Sequence, residues 1–273
     1  MPKLKGVIPH GPALFRVREA LAGSLATVCE QALCPNRTDC WARGTLAFQI
    51  LGNVCTRRCA FCGETTGRPN PANPDEPAQL ALAVKRLSLT HVVITSPARD
   101  DLPDQGVGQF SNCVRRLRTD APRVTIETLV PDFQGREDLL NIFFQNPPDV
   151  FNHNIETVRR LSPSIRCRAD YDRSLFVLSQ SSARGVPTKS GLMVGLGETF
   201  PEMEEAFNDL VRAGVRSVTV GQYLPPSPTH ARVERYYSNE EFDTLRRLAE
   251  RLFDKIQVGP RVRSSYHAET FSP

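Results

Sequence analysis

The stretch Leu46-Ala47-Phe48-Gln49-Ile50-Leu51-Gly52-Asn53-Val54-Cys55-Thr56-Arg57-Arg58-Cys59-Ala60-Phe61-Cys62 decides how the chain reads. Its first part, Leu46 to Leu51, is an apolar run of strand length. Its second part is a loop with thiols spaced Cys55-x3-Cys59-x2-Cys62. Zinc sites usually take four ligands, commonly in paired C-x2-C knuckles, so three thiols without an adjacent fourth fit zinc poorly. They fit a cubane in which three irons are held by sulfur and one stays open. An open iron binds a small molecule, which suggests chemistry more than structure. Phe61, next to Cys62, is an apolar neighbour able to shield such a cluster from water. A structural zinc site used as an interaction module is the alternative.

Upstream lies a second triplet, Cys29-x4-Cys34-x5-Cys40. Alone it reads equally as a zinc site or as scattered buried thiols. Beside the other triplet it suggests a second cluster. Its fourth ligand must come from elsewhere in the chain or from substrate. Cys113 and Cys167 stand alone and read as small buried residues. No signal-peptide pattern occupies Met1 to Glu30. A reducing, cytoplasmic setting (or an organelle matrix or stroma after removal of a transit peptide) makes the cysteines ligands rather than disulfides.

Downstream, strand-like and helix-like stretches alternate. Strands are expected at 46–51, 91–95, 124–129, 149–152, 190–194, 216–221 and 255–258. Helical spacing covers 76–89, 106–118, 136–145, 171–183, 201–213 and 239–253, and an amphipathic helix is expected over 12–28. Such alternation argues for βαβ units and a parallel sheet. Six units are fewer than a closed eight-unit barrel. The expected fold is α/β: a partial (β/α)6 TIM-type barrel over 45–258, with extensions at 1–44 and 259–273.

Chemistry in such barrels gathers at the C-terminal ends of the strands. Polar residues expected near those ends are Thr95-Ser96, Arg99-Asp100-Asp101, Glu127, Asn152-His153-Asn154, Gly195 to Glu198 and Gln222, with Lys189 at the start of its strand. Singly each reads as a cap or turn residue. Together they suggest a polar-lined mouth, with His153 positioning rather than acting as a base. Gly195-Leu196-Gly197-Glu198 is not G-x-G-x-x-G, so a dinucleotide fold gains little support.

A net charge of +4, with arginines interleaved among acids, gives no basic stripe for nucleic acid. The excess of Arg over Lys reads as compositional bias, or as a docking face for an acidic partner. No run reaches the ~18 apolar residues a membrane helix needs.

Cys55-x3-Cys59-x2-Cys62 is the radical SAM signature, and the wider pattern resembles lipoyl synthase. The resemblance runs from Cys29 to Ala268. It is carried by both triplets, Gly67-Arg68-Pro69, Val93-Ile94-Thr95-Ser96, Arg99-Asp100-Asp101-Leu102 and Phe151-Asn152-His153-Asn154. The run Pro187 to Thr199, Gly221-Gln222-Tyr223-Leu224 and Arg263-Ser264-Ser265-Tyr266-His267-Ala268 complete it. Two segments depart from the family pattern: Gly63-Glu64-Thr65-Thr66 and Pro225-Pro226-Ser227-Pro228. They leave open a paralogue with another carrier or substrate.

The resemblance implies two [4Fe–4S] clusters and S-adenosylmethionine. Cys55, Cys59 and Cys62 would hold the cluster that meets S-adenosylmethionine. Cys29, Cys34 and Cys40 would hold an auxiliary cluster, with Ser265 as fourth ligand and Ser264 as fallback. The implied reaction inserts sulfur from that cluster at C6 and C8 of an octanoyl-lysine on a lipoyl carrier domain. An electron donor such as ferredoxin or flavodoxin is implied too. Glu127, Asn154, Arg173 and Lys189 are candidates for touching S-adenosylmethionine or shaping the pocket. A radical SAM enzyme whose extra cluster relays electrons or binds substrate is the other reading.

Overall fold

A computed structural model describes residues 12–21, 25–31, 34 and 36–273. The chain enters through α1 (Pro12–Leu21), a two-residue strand β1 (Ala26–Thr27), α2 (Val28–Gln31) and α3 (Arg37–Ala42). It then winds through β2 (Thr45–Gln49), a small ladder of β3 (Val54–Cys55) and β4 (Thr65–Thr66), α4 (Glu76–Leu87), β5 (His91–Thr95), α5 (Val107–Asp120) and β6 (Thr125–Leu129). Next come α6 (Glu137–Phe143), β7 (Val150–Asn152), α7 (Ser162–Ile165), α8 (Tyr171–Ser182), β8 (Thr188–Val194), α9 (Phe200–Arg212), β9 (Ser217–Gln222), α10 (Asn239–Glu250) and β10 (Lys255–Gly259).

Among the described residues the sheet order is β1-β2-β5-β6-β7-β8-β9-β10. From β2 to β10 every neighbouring pair is parallel. Each long helix returns the chain to the next strand position, as right-handed βαβ winding requires. Six strand–helix pairs and a last strand make an open partial barrel, as the alternation of periods implies. The strands β2, β5, β7 and β9 are buried on both faces. Leu46, Phe48, Val92, Ile94 and Ile126 join the core beneath α4 and α5, and Val218 and Val220 join a second packed cluster with Phe207 and Phe242. Thr199 with Glu202 and Ser238 with Glu241 form capping boxes that start α9 and α10.

The start of the chain differs from expectation. One helix over 12–28 is not what forms; residues 22–24 lie outside the described residues. Ala26 and Thr27 instead pair antiparallel with Gln49 and Phe48. They cover the free edge of β2, where unpaired backbone groups seek a partner. No helix among the described residues is long and apolar enough to cross a membrane.

The segment after β10 turns back over the barrel. Val262 O approaches Gly221 so closely that a Cβ there would lie 2.1 Å from it. Further along, Thr45 Oγ1 donates to Glu269 at 2.6 Å, His91 Nδ1 lies 3.1 Å from Ser272 Oγ, and Lys189 Nζ sits 4.0 Å over the Phe271 ring. Thr45, His91 and Lys189 stand at the starts of their strands, so this tail closes the floor of the barrel.

Candidate metal centres and active site

The loop bearing Cys55, Cys59 and Cys62 leaves β2 at the C-terminal rim and is tied down at many points. β3 pairs with β4 across its base. Thr56 N and Oγ1 both donate to Ala98 O, at 3.1 and 3.0 Å, and Asp100 N donates to Thr56 Oγ1. Ala60 N donates to Ile165 O, and Ala231 N donates to Ala60 O. His230 Nε2 meets Cys62 O at 3.0 Å. The chief tether is Arg57. Its guanidinium grips Asp100 at 2.8 and 2.7 Å and Asp132 at 2.7 Å, while its backbone N lies 3.3 Å from Cys55 Sγ. Burial alone would raise the Asp132 carboxyl, but the hydrogen bond from Arg57 overrides it and holds it at about 2.

The thiols are desolvated. Burial pushes Cys59 up to about 11 and Cys62 up to about 12, and raises Cys55. Cys59 and Cys55 both add repulsion at Cys62, and Cys55 adds it at Cys59, so the three lie within electrostatic reach of one another. Such sulfurs become thiolates when a metal centre binds them and their protons are released to solvent. Among the described residues no three His, Cys, Asp or Glu side chains close on a single metal-ion position. Zinc needs all its sulfurs at about 2.3 Å. Three desolvated thiols on one loop, within electrostatic reach of one another, suit a cluster in which each would hold one iron.

The first triplet repeats this character. Cys34 N donates to Cys29 O and Cys40 N to Asn36 O, which curls the segment around its thiols. Burial pushes Cys40 up to about 12 and raises Cys29, and the charges of Cys29 and Cys34 bear on Cys40. The tail comes to this triplet as well. His267 offers its backbone N–H to Cys40, Arg263 faces Cys34, and Asn36 Nδ2 donates to Arg261 O at 2.6 Å. Asp39, one residue before Cys40, takes His267 at 3.0 Å and Tyr266 at 3.4 Å. Ser265 therefore lies on a stretch held against the first triplet. Ser264 Oγ receives from Asn152 Nδ2 and donates to Asn154 Oδ1, both at 2.9 Å. Among the described residues the Ser265 hydroxyl has no partner.

The other predicted residues divide into two groups. Asn154 stands at the mouth, bonded to Ser264 and to the Glu156 carboxyl. Glu127 and Lys189 are not at the rim. They face each other at 3.1 and 3.2 Å, wholly buried in the barrel, with Asn152 Nδ2 2.7 Å from Glu127. Glu127 falls in the middle of β6, and the second position of β8 puts Lys189 deep. Arg173, in the first turn of α8, bonds Asp132 at 3.2 Å and Arg168 O at 3.1 Å. Cys113 is buried in α5, and Cys167 contributes its carbonyl, 3.9 Å from Cys59 Sγ. The Asp132 anchor and the buried Arg166 beside Cys59 escaped sequence reading, while Asn152 was read only as one of several polar strand-end residues. Their one signal was position: Asn152 stands in the quoted Phe-Asn-His-Asn run, Asp132 and Arg166 in none. The two departures from the family pattern meet in space, since a Cβ on Gly63 would lie 3.1 Å from Pro226.

Residues 50–210 match the model of the radical SAM superfamily. The lipoyl synthase of Rubrobacter xylanophilus is 47% identical, over 97% of this chain and 84% of its own. That of Actinobacillus succinogenes is 51% identical, over 90% and 78%. The chain belongs to the lipoyl synthase family. It is thus an enzyme of the radical SAM sulfurtransferase type, and S-adenosylmethionine and an iron–sulfur cluster are its cofactors. Solved structures share the fold at low identity. A methylornithine synthase superposes with a TM-score of 0.59 at 13% identity, over 88% of this chain and 73% of its own. Streptococcus suis SuiB, solved with its precursor peptide, gives 0.62 at 12% identity, over 82% and 54%.

Proposed function

We propose that this chain inserts two sulfur atoms, at C6 and C8 of a protein-bound octanoyl-lysine, using two [4Fe–4S] clusters. Cys55, Cys59 and Cys62 would hold one, and Cys29, Cys34, Cys40 and Ser265 the other. When bound, the first supplies the electron that splits S-adenosylmethionine into methionine and a deoxyadenosyl radical, and the second supplies sulfur. The chain's own residues do the rest. Arg57, clamped between Asp100 and Asp132, fixes the loop that presents three thiols. Asn154 and Arg173 line the approach at the mouth as candidate contacts for S-adenosylmethionine. Buried surroundings keep water from the radical, and serine oxygen, harder than thiolate, lets one iron leave readily.

The observation that carries this reading is the tail. A segment distant in sequence lies on the first triplet, with Ser264 committed to two asparagines and the Ser265 hydroxyl without a partner among the described residues. Glu127 and Lys189, paired inside the barrel, support the pocket from beneath rather than meeting the ligand directly. Reduction would come from a small electron-transfer protein such as ferredoxin or flavodoxin.

Anaerobic reconstitution should give about eight irons per chain, two cubanes' worth. Ser265→Ala should still release deoxyadenosine from S-adenosylmethionine yet make little lipoyl product on an octanoylated carrier peptide, read by mass spectrometry. Four irons in the parent protein, or undiminished product from the variant, would remove the second cluster or the serine ligand respectively.

A further inference from the structure

The buried carboxylate of Glu127 reaches the tail on both sides of Ser265. On one side Asn152 Nδ2 donates to Glu127 Oε1 at 2.7 Å and to Ser264 Oγ at 2.9 Å. On the other, Lys189, paired with Glu127 at 3.1 Å, lies under the Phe271 ring, and His91, 3.7 Å from Glu127, meets Ser272. Ser264 Oγ in turn donates a hydrogen bond to Asn154 Oδ1. Gly191 makes room for that asparagine, because a Cβ there would lie 2.7 Å from Asn154 Oδ1.

We propose that Asn152, backed by the Glu127–Lys189 pair, is a positioning residue for the serine ligand: by pinning Ser264 it presents the neighbouring Ser265 oxygen to the first triplet. This rests on the reading of Ser265 as a ligand. The physical reason is the weakness of that ligand. A hard oxygen on a soft cluster contributes little by its own bond, so the chain must hold it in place. Two asparagine contacts to the preceding residue do so. A buried ion pair is a costly way to fill a barrel. Here it gives the tail a fixed, charged anchor, which Asn152 couples to Ser264.

The test uses the full chain, with Asn152→Ala and, because that side chain is buried, Ser264→Ala as a second variant that cuts the same bond from the tail. In cluster-free protein, hydrogen exchange of the amides at 261–268 should quicken about tenfold in both, the size expected for one lost buried hydrogen bond. After reconstitution with labelled iron, the Mössbauer component of the oxygen-ligated iron should shrink in both, as it does in Ser265→Ala. Unchanged exchange, or an undiminished component in both variants, overturns the proposal. Loss of that component in Ser265→Ala alone sinks the positioning role and spares the ligand reading. Its retention in Ser265→Ala sinks both.

Discussion

His153 carries its proton economy on its sleeve: Nδ1 sits 2.8 Å from Val130 O and Nε2 3.0 Å from Ser174 Oγ, with no path to water. Burial, helped by the charge of Arg166, pushes its pKa down to about 4. A histidine in the unfolded chain titrates near 6.5, so below that pH the unfolded state binds a proton the native state refuses. Stability is therefore full above about pH 6.5 and falls as the pH drops toward about 4, by roughly 3 kcal/mol in all. Urea unfolding of the cluster-free protein at about pH 7 and about pH 5 should show this slope, and His153→Gln should flatten it. An equal slope in the variant would place the titration elsewhere. At this scale the thiols are readable in the sequence because ligands from one loop lie close along the chain. Asn152 is not, since its meaning lies in Ser264, which only folding brings near.

The loop between β3 and β4 behaves as an element, held by Arg57 as a rivet. Replacing Arg57 with Met leaves Asp100 and Asp132 facing each other with only the part-exposed Arg173 to balance them. Breaking a buried pair in this way costs roughly 3–5 kcal/mol. Denaturant unfolding of the metal-free variant should show that loss. Alkylation of Cys55, Cys59 and Cys62 should quicken, while Cys29 and Cys40 keep their parent rates. A variant with parent stability would mean the rivet is redundant. Element boundaries from β5 onward agree with the periodicity to within a few residues because connections are short and caps explicit, as at Ser238. The stretch before β2 resisted reading for the opposite reason. Ala26 and Thr27 take their conformation from Gln49 and Phe48, and local pattern carries no sign of such a partner.

The whole molecule is an open barrel whose floor is shut by a tail. Removing residues 260–273 would uncover Lys189 and Glu127, strip His91 of Ser272, and take Glu269 from Thr45. The truncated, cluster-free chain should melt several degrees lower, since about 1 kcal/mol shifts a chain of this size by roughly 2–4 °C. An unchanged melting temperature would show that the floor needs no cover. The barrel class was readable because seven strands and six helices alternate in order. The plug was not, because its residues match no period and bind by single side-chain contacts. The plug also has a consequence for biosynthesis. A ribosome delivers Cys29, Cys34 and Cys40 early and Ser265 late, after every strand of the sheet has emerged. On the proposed ligand set, a nascent chain displays three thiols with no oxygen to complete them, and assembly of that centre would follow translation rather than accompany it.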